Sequence, residues 1–145
     1  MLKWRWRNEL FQNFVRSCSN LVLLHKSDIN ALKKFIATNN NNKKYRLIHT
    51  NEIWYKNNIF QNQLKKHEKS GGDIFQKSLQ LCCISPSSVL IKKKVFDNIG
   101  LFDESLDVCE DYDFWLRFCC KYPVNFVDQK LTIKNGGHKD QLSKK

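Results

Sequence analysis

The sequence lacks several features by which whole classes of protein are identified. No apolar run approaches the ~20 residues that a membrane-spanning helix needs. The basic residues 1–7 are not followed by the apolar segment of a secretory signal, so we expect a cytoplasmic protein. None of the six cysteines belongs to a Cys-x-x-Cys pair, and neighbours such as Cys82 and Cys83 are poorly placed to share a zinc ion or bridge each other. We expect the cysteines to be small buried side chains in a reducing compartment.

Acidic residues are scarce relative to basic ones. The 145 residues include 25 lysines and arginines against 14 aspartates and glutamates, which gives a formal net charge of +11. The lysines are scattered apart from short runs such as residues 92–94, and no nucleic-acid recognition motif is present. We therefore predict no nucleic-acid partner and interpret the charge as a solvated surface. Attraction to a membrane surface or to a nucleotide phosphate is the alternative.

The length suits one domain with a hydrophobic core, and 41% of the residues are hydrophobic. Residues 1–20 are left as an unassigned helix-like segment. Their apolar positions fit either a helix that covers the core or an amphipathic helix that lies peripherally on the inner face of a membrane. Residues 21–145 are predicted to form the domain, which begins with a short buried strand at residues 21–24.

The most informative stretch, residues 108–117, places three carboxylates directly before an apolar helix. Carboxylates suit a helix start because they accept free backbone N–H groups and face the positive end of the helix dipole. Helical spacing predicts a buried face made of Phe114, Trp115, Phe118 and Cys119. Asp111 is then either an N-cap flanked by solvated acids or a general base held at the mouth of a cleft. Arg117 is expected to pair with Asp113, one turn earlier.

The other elements follow from alternation, helical spacing and turn residues. Strands are predicted at 45–50, 52–55, 89–91, 123–128 and 131–134, and a helix at 92–98 is followed by Gly100. A further helix at 73–79 is capped by Asp73, and its inward residues are Ile74, Phe75, Ser78 and Leu79. The segment 57–69 is predicted to be a polar mobile connection with an exposed His67.

Several motifs occur in the order found in one enzyme family. They are Ser85-Pro86-Ser87-Ser88-Val89, the segment from Phe96 through Gly100 to Phe102-Asp103-Glu104, and Glu110-Asp111-Tyr112-Asp113-Phe114-Trp115-Leu116-Arg117, with residues 49–54 upstream and 136–143 downstream. Together they resemble the acceptor-side half of the inverting glycosyltransferases of family 2. The resemblance covers roughly residues 23–145. It implies an α/β fold. The expected structure is a partial GT-A (Rossmann-like) domain, namely its C-terminal half, with a short mixed sheet and packed helices.

The resemblance also implies a reaction. The expected function is inverting transfer of a sugar from a nucleotide-sugar donor to a hydroxyl of a glycan or lipid-linked acceptor. By motif match, Asp111 is the base that takes the proton of this hydroxyl, and Glu110 orients the acceptor. Trp54, Asp103 and Glu104 are implied to lie on the acceptor side, where Trp54 either stacks on a sugar ring or belongs to the core.

The donor side departs from the family pattern. In the family, a buried strand ends in an aspartate motif that holds a divalent metal ion, Mn²⁺ or Mg²⁺, and the metal holds the donor diphosphate. Here His25 and Ser27 occupy the first two acidic positions, and only Asp28 keeps a carboxylate, so the acid pair is not intact. His138 is the candidate for the metal ligand that such enzymes often have near their C-terminus.

The family's nucleotide-binding strands precede that motif, whereas this chain begins shortly before His25. We therefore expect an incomplete enzyme, a fragment or a split or frame-shifted gene product, whose donor-binding half a partner chain supplies. The alternative is an inactive remnant or an acceptor-binding module without catalysis.

Overall fold

The computed structural model describes residues 21–23 and 45–136 and shows a mixed α/β fold with a small mixed sheet. The strands are β1 (Leu21–Leu23), β2 (Leu47–Lys56), β3 (Ile59–Gln61), β4 (Val89–Lys92) and β5 (Asn125–Gly136). The helices are α1 (Phe75–Gln80), α2 (Lys94–Ile99) and α3 (Glu110–Cys119), with short 3₁₀ helices at Lys65–His67 and Pro86–Ser88. The α/β class and the mixed sheet predicted from the sequence are confirmed.

Strand β2 is the centre of the sheet. On one side, its residues 47–49 pair antiparallel with β4 and its residues 54–56 pair antiparallel with β3. On the other side, it pairs in parallel with β5 along most of its length. Strand β1 extends the sheet beyond β4. Residues 50–53 of β2 pair with neither β3 nor β4, and this leaves a gap along one edge of the strand.

Two of the strands are longer than the sequence predicts. The predicted strands at 45–50 and 52–55 form the single strand β2, and the expected bend corresponds to shifts in its register with β5 on both sides of Asn51. Strand β5 likewise continues through residues 128–130, where the two predicted strands at 123–128 and 131–134 join. Bulges of this kind add residues to one strand and increase its twist without ending it. The polar run at 128–130 therefore does not interrupt the sheet.

The polar segment after β2 is structured, and its prediction as a mobile connection was wrong. Asn57 and Asn58 have positive φ angles of 51° and 64°. A tight hairpin turn requires such angles, and asparagine tolerates them better than most residues. The chain then forms β3 and a 3₁₀ helix and reaches Lys69, which is buried. The asparagine pair was the turn signal that the polar composition obscured.

Helix α3 is fixed by its apolar face. Phe114, Trp115, Phe118 and Cys119 are all buried, as the helical spacing predicted. The Phe114 ring lies 5.3 Å from the ring of Phe96 and 4.6 Å from that of Phe102, measured between centroids. Each large side chain buried in this way contributes about 1.5–3 kcal/mol to folding. The first turn of α3 is therefore attached to a rigid core.

Arg117 attaches α3 to the turn that follows α2. Its Nε and Nη2 atoms donate hydrogen bonds to Asp113 Oδ2 at 3.0 and 2.7 Å, which confirms the predicted pair. Nη2 also donates to the carbonyl oxygen of Leu101 at 2.8 Å, and Nη1 donates to that of Ile99. Gly100 lies between these carbonyls with a φ of +82°, a conformation that favours glycine.

Helix α1 packs with most of its predicted inward face, because Ile74 and Ser78 are buried and Phe75 packs against the core. Asp73 Oδ1 accepts a hydrogen bond from the backbone N–H of Phe75 at 3.2 Å, close to the predicted cap. Ser78 is buried, and its carbonyl oxygen accepts a 2.6 Å hydrogen bond from the hydroxyl of Tyr112. Leu79 is 51% exposed, so its prediction as an inward residue was wrong. The contact with α3 selects the Ser78 face of this short helix.

The five described cysteines are free thiols. Cys83 and Cys119 are buried as expected, but Cys82, Cys109 and Cys120 are exposed. Cys109 and Cys120 flank the ends of α3, and Cys82 lies in the connection after α1. Within the described ranges, the structure contains no helix with the length and apolar character that crossing a membrane requires.

Candidate active site

Asp111 lies half-buried in the first turn of α3. The N-cap position belongs to Cys109, which has a φ of 65°, and no side chain caps the helix. The alternative that Asp111 is a simple N-cap was therefore wrong. Its Oδ1 atom accepts a 2.8 Å hydrogen bond from the backbone N–H of Tyr112. Because the core holds α3, the carboxylate has a fixed position at the protein surface.

The surroundings of Asp111 favour its protonated form. Burial raises the pKa of Asp111 above its ordinary value, and the neighbouring carboxylate of Glu110 raises this pKa further. The N–H group of Tyr112 and the charge of Lys134 act in the opposite direction. A carboxylate with a raised pKa accepts a proton more readily than a solvated one. The raised pKa of Asp111 is thus compatible with the predicted role of general base, which stays a prediction.

The other acidic candidates differ in accessibility. Glu110 is only 9% exposed, so it is less accessible to an acceptor than Asp111. Asp103 and Glu104 are exposed in the loop before α3. Asp103 Oδ1 accepts hydrogen bonds from the N–H and the hydroxyl of Ser105 at 2.9 and 2.7 Å, an arrangement that stabilises the loop. The acceptor-side roles of these three acids stay predictions.

Trp54 lies half-buried on β2, outside the core cluster. Its Nε1 atom donates a 2.9 Å hydrogen bond to Glu52 Oε2. The ring centroid is 5.3 Å from that of His67, and the Lys134 ammonium lies over the indole at 5.5 Å. His67 is half-buried by this contact, so its prediction as an exposed residue was wrong. The orientation of Trp54 is fixed, and its contact with a sugar stays a prediction.

A buried ion pair between Glu52 and Lys69 holds this region together. Lys69 Nζ lies 3.0 Å from Glu52 Oε1, and it donates hydrogen bonds to the carbonyl oxygen of Thr50 at 3.1 Å and to Ser88 Oγ at 2.9 Å. An ammonium group has three N–H donors, so these contacts use all of its capacity. Burial alone would raise the pKa of Glu52, but the charges of Lys69 and Lys134 hold it below its ordinary value.

The ion pair lies at the gap in β2. The carbonyl oxygens of Thr50 and Glu52 have no strand partner there, and Lys69 Nζ and Gln63 Nε2 satisfy them, each at 3.1 Å. A cavity of about 300 Å³ adjoins these contacts. Amide, aromatic and charged side chains line it, among them Asn51, Trp54, Phe60, Gln61, Asn62 and Lys130. Such a mixture suits a small polar ligand.

Lys134 links Trp54 and Asp111. Its Nζ atom lies 3.8 Å from Glu52 Oε2 and over the Trp54 ring, and its positive charge lowers the pKa of Asp111. Of the residues predicted from the sequence, Trp54 contacts Glu52 and Lys134, and Asp111 is affected only by the charge of Lys134. Sequence reasoning missed Glu52, Lys69 and Lys134. Nothing distinguishes the two lysines from the scattered lysines elsewhere in the chain, although Glu52 belongs to one of the family-like motifs.

The expected metal site was Asp28 and His138, and both residues lie outside the described part of the chain. Among residues 21–23 and 45–136, no group of three or more His, Cys, Asp or Glu side chains is placed to hold a metal ion. The divalent metal stays a prediction.

Comparison with known proteins points to one reaction class. No protein-family model matches the chain. It is 41% identical over 58 residues to an uncharacterized glycosyltransferase of Rickettsia felis, and the matched segment covers 40% of the chain and 10% of the relative. It is 36% identical over 79 residues to an uncharacterized glycosyltransferase of Rickettsia typhi, and the matched segment covers 54% of the chain and 24% of the relative.

The chain is similar to glycosyltransferases. A protein of the same description in Rickettsia prowazekii is 35% identical over 79 residues. The matched part spans about a quarter or less of the length of these relatives. The similarity supports a glycosyltransferase in general and does not distinguish among families or mechanisms.

Proposed function

We propose that the chain is the acceptor-side part of an inverting glycosyltransferase of family 2 with a GT-A fold. It would transfer a sugar from a nucleotide-sugar donor to a hydroxyl of a glycan or lipid-linked acceptor. The similarity to proteins named as uncharacterized glycosyltransferases supports the reaction class. The observation that carries the proposal is the carboxylate of Asp111, which has a raised pKa and a fixed position on α3.

In this proposal, Asp111 removes the proton of the acceptor hydroxyl while the hydroxyl oxygen attacks the anomeric carbon. The new bond forms on the face opposite the nucleoside diphosphate, whose bond to the sugar breaks, so the configuration inverts. The proton then passes from Asp111 to solvent. A partner chain would contribute the donor-binding half.

The groups around Asp111 would position the substrates. Trp54, which Glu52 holds through the indole N–H, would cover an apolar face of the acceptor sugar. The positive charge of Lys134, which acts on the pKa of Asp111, would attract the anionic donor. Glu110, Asp103 and Glu104 would contact or orient the acceptor.

Acceptor binding without catalysis is a second candidate function. The cavity of about 300 Å³ beside Trp54 favours it, because a polar and aromatic cavity binds a sugar whether or not a base is present. In that case Asp111 would only stabilise the first turn of α3 and would take no part in catalysis.

Two measurements separate the candidates. The first is calorimetric titration of the chain with a panel of glycans and with nucleoside diphosphates, with and without Mn²⁺. The second is sugar transfer in an extract that supplies a donor-binding partner, with the anomeric configuration of the product determined by NMR. Transfer with inversion supports the enzyme, whereas glycan binding without transfer supports the binding module. Transfer with retention, or neither activity from a folded chain, contradicts the enzyme proposal.

A further inference from the structure

The end of the sheet formed by β2, β3 and β5 exposes an apolar face. The strand register places Phe60 beside Tyr55 and Ile133 beside Ile53, and alternate residues of a strand point to the same side, so these four side chains share one face. Phe60 is 50% exposed and Ile133 is 62% exposed. Leu64, which lines the same cavity as Phe60 and Ile53, is 62% exposed.

Apolar exposure in the described chain is concentrated at this end. Among residues 21–23 and 45–136, the exposed large hydrophobic side chains at this end are Ile59, Phe60, Leu64 and Ile133, and those elsewhere are Leu79 and Val108. Single exposed hydrophobic residues are ordinary, but a contiguous apolar patch with a polar rim marks an interaction surface.

The rim of this face is mainly basic. Lys65 and Lys66 are exposed in the 3₁₀ helix that follows β3, and Lys130 is exposed on β5 and lines the same cavity as Lys65. Two acids are nearby: Glu68 lines the cavity, and Asp128 accepts a 2.8 Å hydrogen bond from Asn51. The chain as a whole carries a net charge of +11, which adds to the positive potential.

We propose that this surface, made of Ile53, Tyr55, Phe60 and Ile133 with a rim of lysines, docks on an anionic lipid bilayer. Interfacial binding combines apolar side chains that enter the boundary of the acyl chains with basic side chains that meet anionic headgroups. The surface offers both in one place. An apolar protein partner would use the apolar side chains but would give no reason for the lysine rim.

Vesicle flotation of the full chain tests the proposal. We expect binding to phosphatidylcholine vesicles that contain phosphatidylglycerol, weaker binding to phosphatidylcholine alone, and a loss with increasing salt because salt screens the attraction. The double variant Phe60→Ser/Ile133→Ser should bind at least about tenfold more weakly, because it removes two apolar anchors. The matched control Leu79→Ser removes an apolar side chain that is exposed on α1, and it should bind like the wild type.

A second pair of changes keeps the test valid if the serine variant fails to fold. Lys65 and Lys130 are exposed, so Lys65→Glu/Lys130→Glu should leave the fold unchanged and weaken binding to anionic vesicles at least about tenfold. Thermal unfolding checks that each variant is folded.

Three results would overturn the proposal. They are no binding of folded wild-type chain to anionic vesicles, equal binding of wild type and the lysine variant, and a lipid-free dimer in sedimentation that Phe60→Ser/Ile133→Ser abolishes. The last result would assign the surface to a second copy of the chain. Vesicle binding is measured without donor or acceptor, so its failure would not affect the proposed sugar transfer.

Discussion

The ammonium of Lys69 lies 3.0 Å from the carboxylate of Glu52, and both side chains are buried beside the gap in β2. Through Ser88, Lys69 joins β2 to the 3₁₀ helix before β4. Glu52 also accepts the indole N–H of Trp54 and lies 3.8 Å from the ammonium of Lys134. One buried pair thus fills the gap in β2 and fixes the indole of Trp54.

Replacing Glu52 should destabilise the protein. We expect Glu52→Gln to lower the free energy of unfolding by about 3 kcal/mol, because it leaves the Lys69 charge buried without a counter-ion. The matched control Glu68→Gln changes an exposed carboxylate and should have little effect. Urea unfolding of the two variants and the wild type makes the comparison. Equal stability of Glu52→Gln and the wild type would show that the pair does not stabilise the fold.

His49 should make stability depend on pH. Its ring is buried and its Nε2 atom lies 2.9 Å from the carbonyl oxygen of Ser70. Burial, assisted by the Lys69 charge, lowers the pKa of His49 from 6.5 to about 4. The unfolded chain therefore binds a proton at a higher pH than the folded chain, so the stabilisation is complete above the unfolded pKa and is lost as pH falls towards the folded one.

The size of this effect follows from the shift in pKa. We expect the free energy of unfolding to fall by about 3 kcal/mol from this group between neutral pH and the folded pKa. Urea unfolding of wild type and His49→Gln at neutral and mildly acidic pH measures it. The variant should lose less stability over that interval, and an unchanged pH dependence would contradict the account. The pKa of Glu52 is held below its ordinary value, so the stabilisation from this carboxylate is lost only when the pH falls below that ordinary value.

Arg117 should not be replaceable by lysine. A lysine keeps the charge but loses the fork that reaches Asp113 and the carbonyl oxygens of Ile99 and Leu101 together, so we expect Arg117→Lys to cost about 1–2 kcal/mol. Asp113→Asn leaves the two carbonyl contacts in place and should cost less. Denaturant unfolding gives both values, and a larger loss for Asp113→Asn would contradict this order.

Local patterns were predictable from the sequence, and distant contacts were not. The buried face of α3 and the Asp113–Arg117 pair follow from helical spacing, which depends on neighbours three or four residues apart. The Glu52–Lys69 pair depends on how the segment after β3 returns to the gap in β2, and a single lysine carries no signal of that. The parallel pairing of β2 with β5, with its bulges, likewise joins segments far apart in the chain. Asp111 was identified by its motif, but its raised pKa depends on burial that only the fold shows.

The most direct test of the account is the effect of Asp111→Asn on sugar transfer. An extract of the cells that make the protein, prepared after deletion of its gene, is supplemented with purified chain so that any donor-binding partner is present. The extract with wild-type chain should transfer sugar, and the extract with Asp111→Asn should transfer it at least about 100-fold more slowly, because the amide cannot accept the proton.

Asp97→Asn, which changes an exposed acid on α2, is the matched control and should restore transfer fully. The three proteins should have similar unfolding free energies. Equal transfer with Asp111→Asn and with the wild type would contradict the assignment of Asp111 as the base, and failure of folded wild-type chain to restore any transfer would contradict the proposed function.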